Sequence, residues 1–251
     1  MKKKIVGVAV IILVALAGSF LFPDILPAVG DSNSPVNSYL STYYIENSLA
    51  DTGAHNLVTA VLADYRGFDT LFETCVMFLA GITALMVLSS TAKIDKAEKK
   101  KDEVHRISFS GTILDTAFRV IVPIIVIYAF YVLAHGESSL GGGFQAGALL
   151  AIAYMIDRII PSFNNRLGNL TEEAAAATAG AGVFIYIVTG LLPMFNGGNF
   201  LQYEKLPLGA ETAAQLHGAG IIMIEIGVVV CVMATIINIL EVVLERTEFD
   251  D

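Results

Sequence analysis

Apolar runs long enough to cross a bilayer recur along this chain, and they decide which solvent it folds in. About 20 apolar residues rising 1.5 Å each span a hydrocarbon core about 30 Å thick. Runs of that kind lie at residues 5–22, 71–90, 112–134, 143–160, 173–192 and 212–243. Only 16% of the residues are charged, against about 25% in soluble domains, so there is too little charge to coat a water-soluble globule. The expected fold is an all-α integral membrane protein of about six transmembrane helices. A shorter apolar stretch at 54–63 is too short to span and predicts a re-entrant or interfacial helix.

The first run follows Lys2, Lys3 and Lys4, which also fits a cleaved signal with small residues at Ala17, Gly18 and Ser19. The run is long for a signal and precedes further spans, so it is read as the first helix. Pro23 and Pro27 end it, and 23–52 reads as an external loop with a short helix near 39–49. Pro161 and Pro193 fall just past the fourth and fifth runs, and Asn169 or Thr171 before Glu172 and Glu173 signals a helix start. With six spans and Met1 inside, the Lys and Arg outside the span cores divide twelve inside (Arg158, at the inner end of the fourth span, among them) to two outside (Arg66 and Lys205). That asymmetry matches the positive-inside rule and predicts that both termini are cytoplasmic. The charged stretch 93–106, KIDKAEKKKDEVHR, is the one sharp break in composition. It divides a two-helix part, 1–92, from a four-helix part, 107–251.

Ionisable groups inside apolar runs are costly and need a reason. Glu225 sits mid-run in GIIMIEIGVVV, with His217 two turns earlier. A buried glutamate can carry a proton or ligate a cation, or it can hydrogen-bond a neighbouring helix and only fix packing. Asp115 and Arg119 have the i, i+4 spacing of a salt bridge, and Pro123 removes the helical donor for the Arg119 carbonyl. Glu73, close behind Arg66 and Asp69, opens the second run, where the helix dipole favours a carboxylate; a gate or relay is the alternative. Gly141, Gly142, Gly143, Gln145 and Gly147 lack the strand and the Lys-Ser/Thr of a phosphate loop. Gly143, Gly147 and Ala151 instead form a small-residue stripe for close helix packing, as do Ala176, Gly180 and the small residues around them in the fifth run. Cys75 and Cys231 are far apart, each in an apolar run, and form no metal-ligand or CxxC pattern. The net charge of −9 and the lack of a basic stripe argue against nucleic acid. No catalytic nucleophile–base pair, metal cluster or nucleotide loop is apparent.

Two parts of the chain resemble known families. Arg119 to Ile152, with Pro123, His135-Gly136 and the run Gly141 to Gly147, resembles the B subunit of Mrp-type multisubunit Na+/H+ antiporters, the MnhB family. Gly218 to Ile237 looks like that family's closing helix, although the family usually has Asp where this chain has Glu225. The stretch from Asn56 through Asp64, Arg66, Asp69 and Glu73 resembles the C-terminal end of the large Mrp A subunit, a piece that occurs separately in membrane-bound hydrogenases. The resemblance implies a fusion of the two pieces inside a membrane module that exchanges Na+ for H+. The implied partners are other antiporter-module membrane subunits, the lipid bilayer, and a hydrogenase or oxidoreductase arm. It implies no cofactor beyond the transported ion and a multi-pass place in the cell membrane. The ion-path candidates are then Glu225, His217 and Glu73, with Asp69, Arg66, Asp115, Arg119 and His135 beside them.

Overall fold

The computed structural model describes residues 10–20, 39–92, 112–159, 170–210 and 212–247. Among them the chain is helical: α1 (Val10–Phe20), α2 (Tyr39–Thr52), α3 (Leu57–Thr59, continuing as a π-helix over Ala60–Tyr65), α4 (Gly67–Ala92), α5 (Thr112–Ala134), α6 (Gly143–Ile159), α7 (Glu172–Leu191) and α8 (Ala213–Thr247). Short 3-10 turns at Leu192–Asn196 and Tyr203–Lys205 lie between α7 and α8. The charged stretch 93–106 lies outside the described residues, as does Asn169.

Four of the described helices are long and apolar enough to cross a membrane: Gly67–Val87, Thr116–Ala134, Glu172–Asn196 and Ala213–Val243. The sequence pattern predicts six. The difference has a plain source. Helix α6 has 17 residues, about 26 Å at helical rise, and the described part of the first run is the short helix Val10–Phe20.

The chain forms two compact units, Met1–Asn47 and Ser48–Asp251. In the first, α1 is apolar and exposed, and the first half of α2 carries Tyr39, Tyr43 and Tyr44 with neighbouring rings 6.1 and 6.4 Å apart. The second unit is built around α8, with 67% of its spanning window buried against 33% or less for the other three spans. Glycines let backbones meet around it. A Cβ on Gly182 of α7 would lie 2.5 Å from the Cys231 nitrogen and 2.6 Å from the Gly227 oxygen. On α6, a Cβ on Gly143 would lie 2.7 Å from the Glu225 carbonyl oxygen, and one on Gly147 2.9 Å from that of Val229. In α7 the buried alanines and glycines are Ala175, Ala179, Gly182 and Gly190. Ala176 and Gly180, also on the expected small-residue surface, are half-buried, and a Cβ on Gly180 would lie 3.4 Å from the Phe78 ring of α4. Helix α5 packs on α6 through Val122 and Ala153.

Helix starts follow local chemistry. Thr171 caps α7 by accepting the Ala174 N–H at 3.2 Å, and Thr212 accepts the Gln215 N–H at 3.3 Å. Within the spans, the hydroxyls of Thr74, Thr178 and Thr189 donate to the carbonyl four residues back. That satisfies their polarity where lipid offers no partner.

The connections at 53–67, 135–142 and 192–212 gather at one end of the second unit. Asn56 bonds to Glu137, and Tyr186 and Tyr203 bond to Gly67 and Ala63. At the other end Arg158 of α6 pairs with Glu241 of α8 through Nε at 2.9 and 3.2 Å. The Tyr154 hydroxyl donates to the same carboxylate at 2.7 Å and accepts the Leu170 N–H at 3.2 Å. Glu241 is buried.

Candidate functional site

The site starts from one asparagine. Asn56 caps α3 by accepting the Val58 N–H at 3.0 Å. Its amide also donates to the Gly136 and Ser139 carbonyls at 2.9 and 2.7 Å, and its backbone N–H donates to the Glu137 carbonyl at 2.9 Å. Thr59 adds a bond to Gly136 O at 2.7 Å. The connection at 135–142 is thereby clamped to α3. Asn56→Ala removes the cap and both amide donors and is expected to cost about 3 kcal/mol. A lowered unfolding midpoint in detergent would show it.

Beyond Thr59 the backbone widens into the π-helix, closed by the Arg66 N–H on the Val61 carbonyl at 2.8 Å. Side chains satisfy its carbonyls: the Thr70 hydroxyl donates to Leu62 O at 2.6 Å and the Tyr203 hydroxyl to Ala63 O at 2.9 Å. Burial holds the Tyr203 phenol well above its ordinary pKa, so it remains a donor.

The clamp and the π-helix wall a cavity of about 140 Å³, large enough for several waters. Thr59, Leu62 and Thr70 line one side; Gly141 to Gln145 and Glu225 line the other. Glu225 is 8% exposed, and its Oε2 is buried with no hydrogen-bond partner. Its carboxyl group rests on glycines. A Cβ at Gly136 would lie 3.1 Å from Oε2, and one at Gly142 3.2 Å from Oε1. Gly142 has φ +134°, so a side chain there is disfavoured twice over. Glu137 interacts electrostatically with Glu225, and its own Oε1 is buried without a hydrogen-bond partner. Burial pushes the Glu137 carboxyl up from its ordinary pKa. A buried carboxylate with an unpartnered oxygen, facing a cavity and a second acid, is suited to take up a proton or a cation.

His217 lies about 12 Å further along α8 and faces a different group. Its Nδ1 is bonded to Asp64 Oδ2, and its Nε2 lies 3.9 Å from Glu204 Oε1. Residues 217 and 225 therefore serve two places. The remaining candidates are dispersed. Arg66 pairs with Asp69 near the surface, with side chains 59% and 48% exposed. Glu73 is exposed on α4, close enough for its charge to act on Tyr186. His135 stacks on the Tyr131 ring at 4.1 Å and is exposed; the adjacent Gly136 is what meets Glu225. Arg119 is exposed on α5, and the side chain of Asp115 lies outside the described residues. Asp64, Glu137 and Asn56 are the members that sequence reasoning missed. They meet their partners across 153, 88 and 80 positions, which no local periodicity reveals.

Residues 28–99 match the MbhE family of MBH subunits. Over 222 residues the chain is 24% identical to a K(+)/H(+) antiporter A/B subunit of Rhizobium meliloti, covering 79% of this chain and 22% of that protein, so it spans about a fifth of that relative's length. It is 30% identical over 134 residues to the antiporter protein mnhB2 of Staphylococcus saprophyticus, covering 51% of this chain and 94% of that one. Among solved structures, a chain of the membrane-bound sulfane sulfur reductase, an archaeal respiratory membrane complex, aligns with TM-score 0.69 and 25% identity over 97% of this chain and 99% of its own. A chain of the Mrp complex from Dietzia aligns with TM-score 0.63 and 26% identity over 95% of this chain and 26% of its own. Residues 113–238, half of the chain and the part holding Gly136, Gly142 and Glu225, match the family of domains related to the MnhB subunit of Na+/H+ antiporters, and the chain belongs to that family.

Proposed function

We propose that this chain is a non-catalytic membrane subunit of a cation/proton antiporter module, and that it lends the module the cavity around Glu225. The observation that carries this reading is the Glu225 carboxyl group, buried with an unpartnered oxygen in a cavity walled by both halves of the chain. The module would exchange Na+ for H+ in the cell membrane. In that setting α1 and α6 act as additional spans beside the four longer ones, with both termini cytoplasmic and the 135–142 connection outside. Glu73, exposed on α4, would be covered by a neighbouring protein of the module, because an exposed carboxylate on a spanning helix is costly in lipid. The end-to-end match with the sulfane sulfur reductase chain favours an assembly that also carries an oxidoreductase arm.

A second reading makes the chain a helix-packing adaptor. The backbone-to-backbone approach of Gly182 to Gly227 and Cys231 supports it. Both readings require partners. Purification of the tagged chain in mild detergent, followed by mass spectrometry, is expected to bring antiporter-like membrane subunits with it. Recovery of a stable chain alone would overturn both.

A further inference from the structure

We infer that His217 and Asp64 form a proton-transfer station entered from Glu204, separate from the Glu225 cavity; this deepens the antiporter reading and rests on it. Three observations lead there. His217 is 8% exposed, and its Nε2 is buried with no hydrogen-bond partner. A histidine kept only to hold two elements together needs its bond to Asp64 and gains nothing from a second, unsatisfied buried nitrogen. That nitrogen lies 3.9 Å from Glu204 Oε1, whose side chain is 57% exposed. The gap is one that a rotamer change of Glu204 or a bridging water closes. Finally, Asp64 belongs to the π-helix Ala60–Tyr65, a widened geometry frequent where helices carry function. The solvent-facing acid, the buried imidazole and the half-buried Asp64 thus stand in series.

The groups facing His217 define one route through it. From the connection before α8 come Glu204 and Tyr203; from the π-helix comes Asp64. The Tyr203 ring meets the imidazole edge-on at 6.0 Å, and its hydroxyl is committed to the Ala63 carbonyl, so it is no proton acceptor. His217 starts neutral, with its Nδ1 proton donated to the Asp64 carboxylate. Glu204, protonated from solvent, gives its proton to Nε2. The imidazolium then releases the Nδ1 proton to Asp64. Glu204 is left ionised, His217 neutral with its proton on Nε2, and Asp64 neutral. Once Asp64 gives its proton to an acceptor on a neighbouring subunit, a side-chain reorientation that exchanges the places of the two ring nitrogens turns the Nε2–H toward Asp64 and leaves bare Nδ1 to take the next proton from Glu204.

The test uses the complete complex in proteoliposomes, with proton movement followed by an internal pH dye. His217→Asn keeps a donor toward Asp64 but cannot be protonated. It is expected to slow cation-driven proton movement on the order of tenfold or more, and imidazole added to the buffer should restore a substantial part of the rate. An unchanged rate, or a slowed rate that imidazole does not raise, overturns the station and leaves a structural pair. If His217→Asn does not assemble, Glu204→Gln decides. Its rate should fall about threefold in weakly buffered medium and recover as buffer is added; no fall overturns the inference. The outcomes separate from those of the broader reading. A wild-type complex that moves no ions overturns both, whereas normal wild-type exchange with an unaffected His217→Asn overturns the station alone.

Discussion

Glu225→Gln, introduced into the assembled complex, is expected to cut cation-coupled proton movement on the order of a hundredfold, the scale on which a positioned proton-carrying group contributes. The amide is nearly isosteric with the carboxyl group, so it should still seat against Gly136 and Gly142 and leave assembly intact. It cannot carry a proton or balance a cation. Glu225→Asp retains the charge and withdraws it by one methylene from the glycine floor, so it should keep a measurable part of the rate. Ion flux in proteoliposomes, normalised to the quantity of complex, is the measurement. If Glu225→Gln and Glu73→Gln both leave flux per complex unchanged while lowering yield, the residues only pack, and the adaptor reading takes over.

The second large effect lies at the opposite end of the unit. Glu241→Ala is expected to destabilise the folded chain by about 3–5 kcal/mol, because it strands the Arg158 guanidinium and the Tyr154 hydroxyl in a buried setting. The Arg158 and Glu241 side chains are 12% and 6% exposed, so water can replace little of what is lost. Removing both charges is a different matter. Arg158→Leu combined with Glu241→Met should recover the part of the loss due to the stranded guanidinium, since a buried ion pair gains little over an apolar pair of similar volume, while the Tyr154 hydroxyl stays without its acceptor. Unfolding midpoints in detergent for the two single variants and the double variant would show the coupling. Additive losses would mean that the two residues do not act as a pair.

These two sites also show how far the sequence could be read. The membrane class, the helix start at Thr171 and the need for glycine against α8 follow from local rules: run length, capping, and the space a Cβ occupies. Glu225 stands out because charge inside an apolar run is costly wherever it occurs. Its surroundings do not stand out. That Gly136 and Gly142 make its floor, that Glu137 acts on it, and that Asp64 reaches His217 depend on how α3, α8 and the 135–142 connection assemble. Such pairings join positions far apart and leave no periodic trace. Which part of the small-residue surface of α7 packs most closely is hidden for a related reason. Small residues occur on more than one side of that helix, and only the neighbour decides which side is closely packed.

The π-helix makes this region sensitive to length. An extra residue accommodated in a turn advances everything after it by about 100° around the axis. Deleting any one residue from 60–65 would let an ordinary α-helical turn re-form, which is locally favourable. It would also take the Leu62 and Ala63 carbonyls away from Thr70 and Tyr203 and swing Asp64 off His217. Related chains should therefore differ in residue type along this stretch far more readily than in the number of residues it contains.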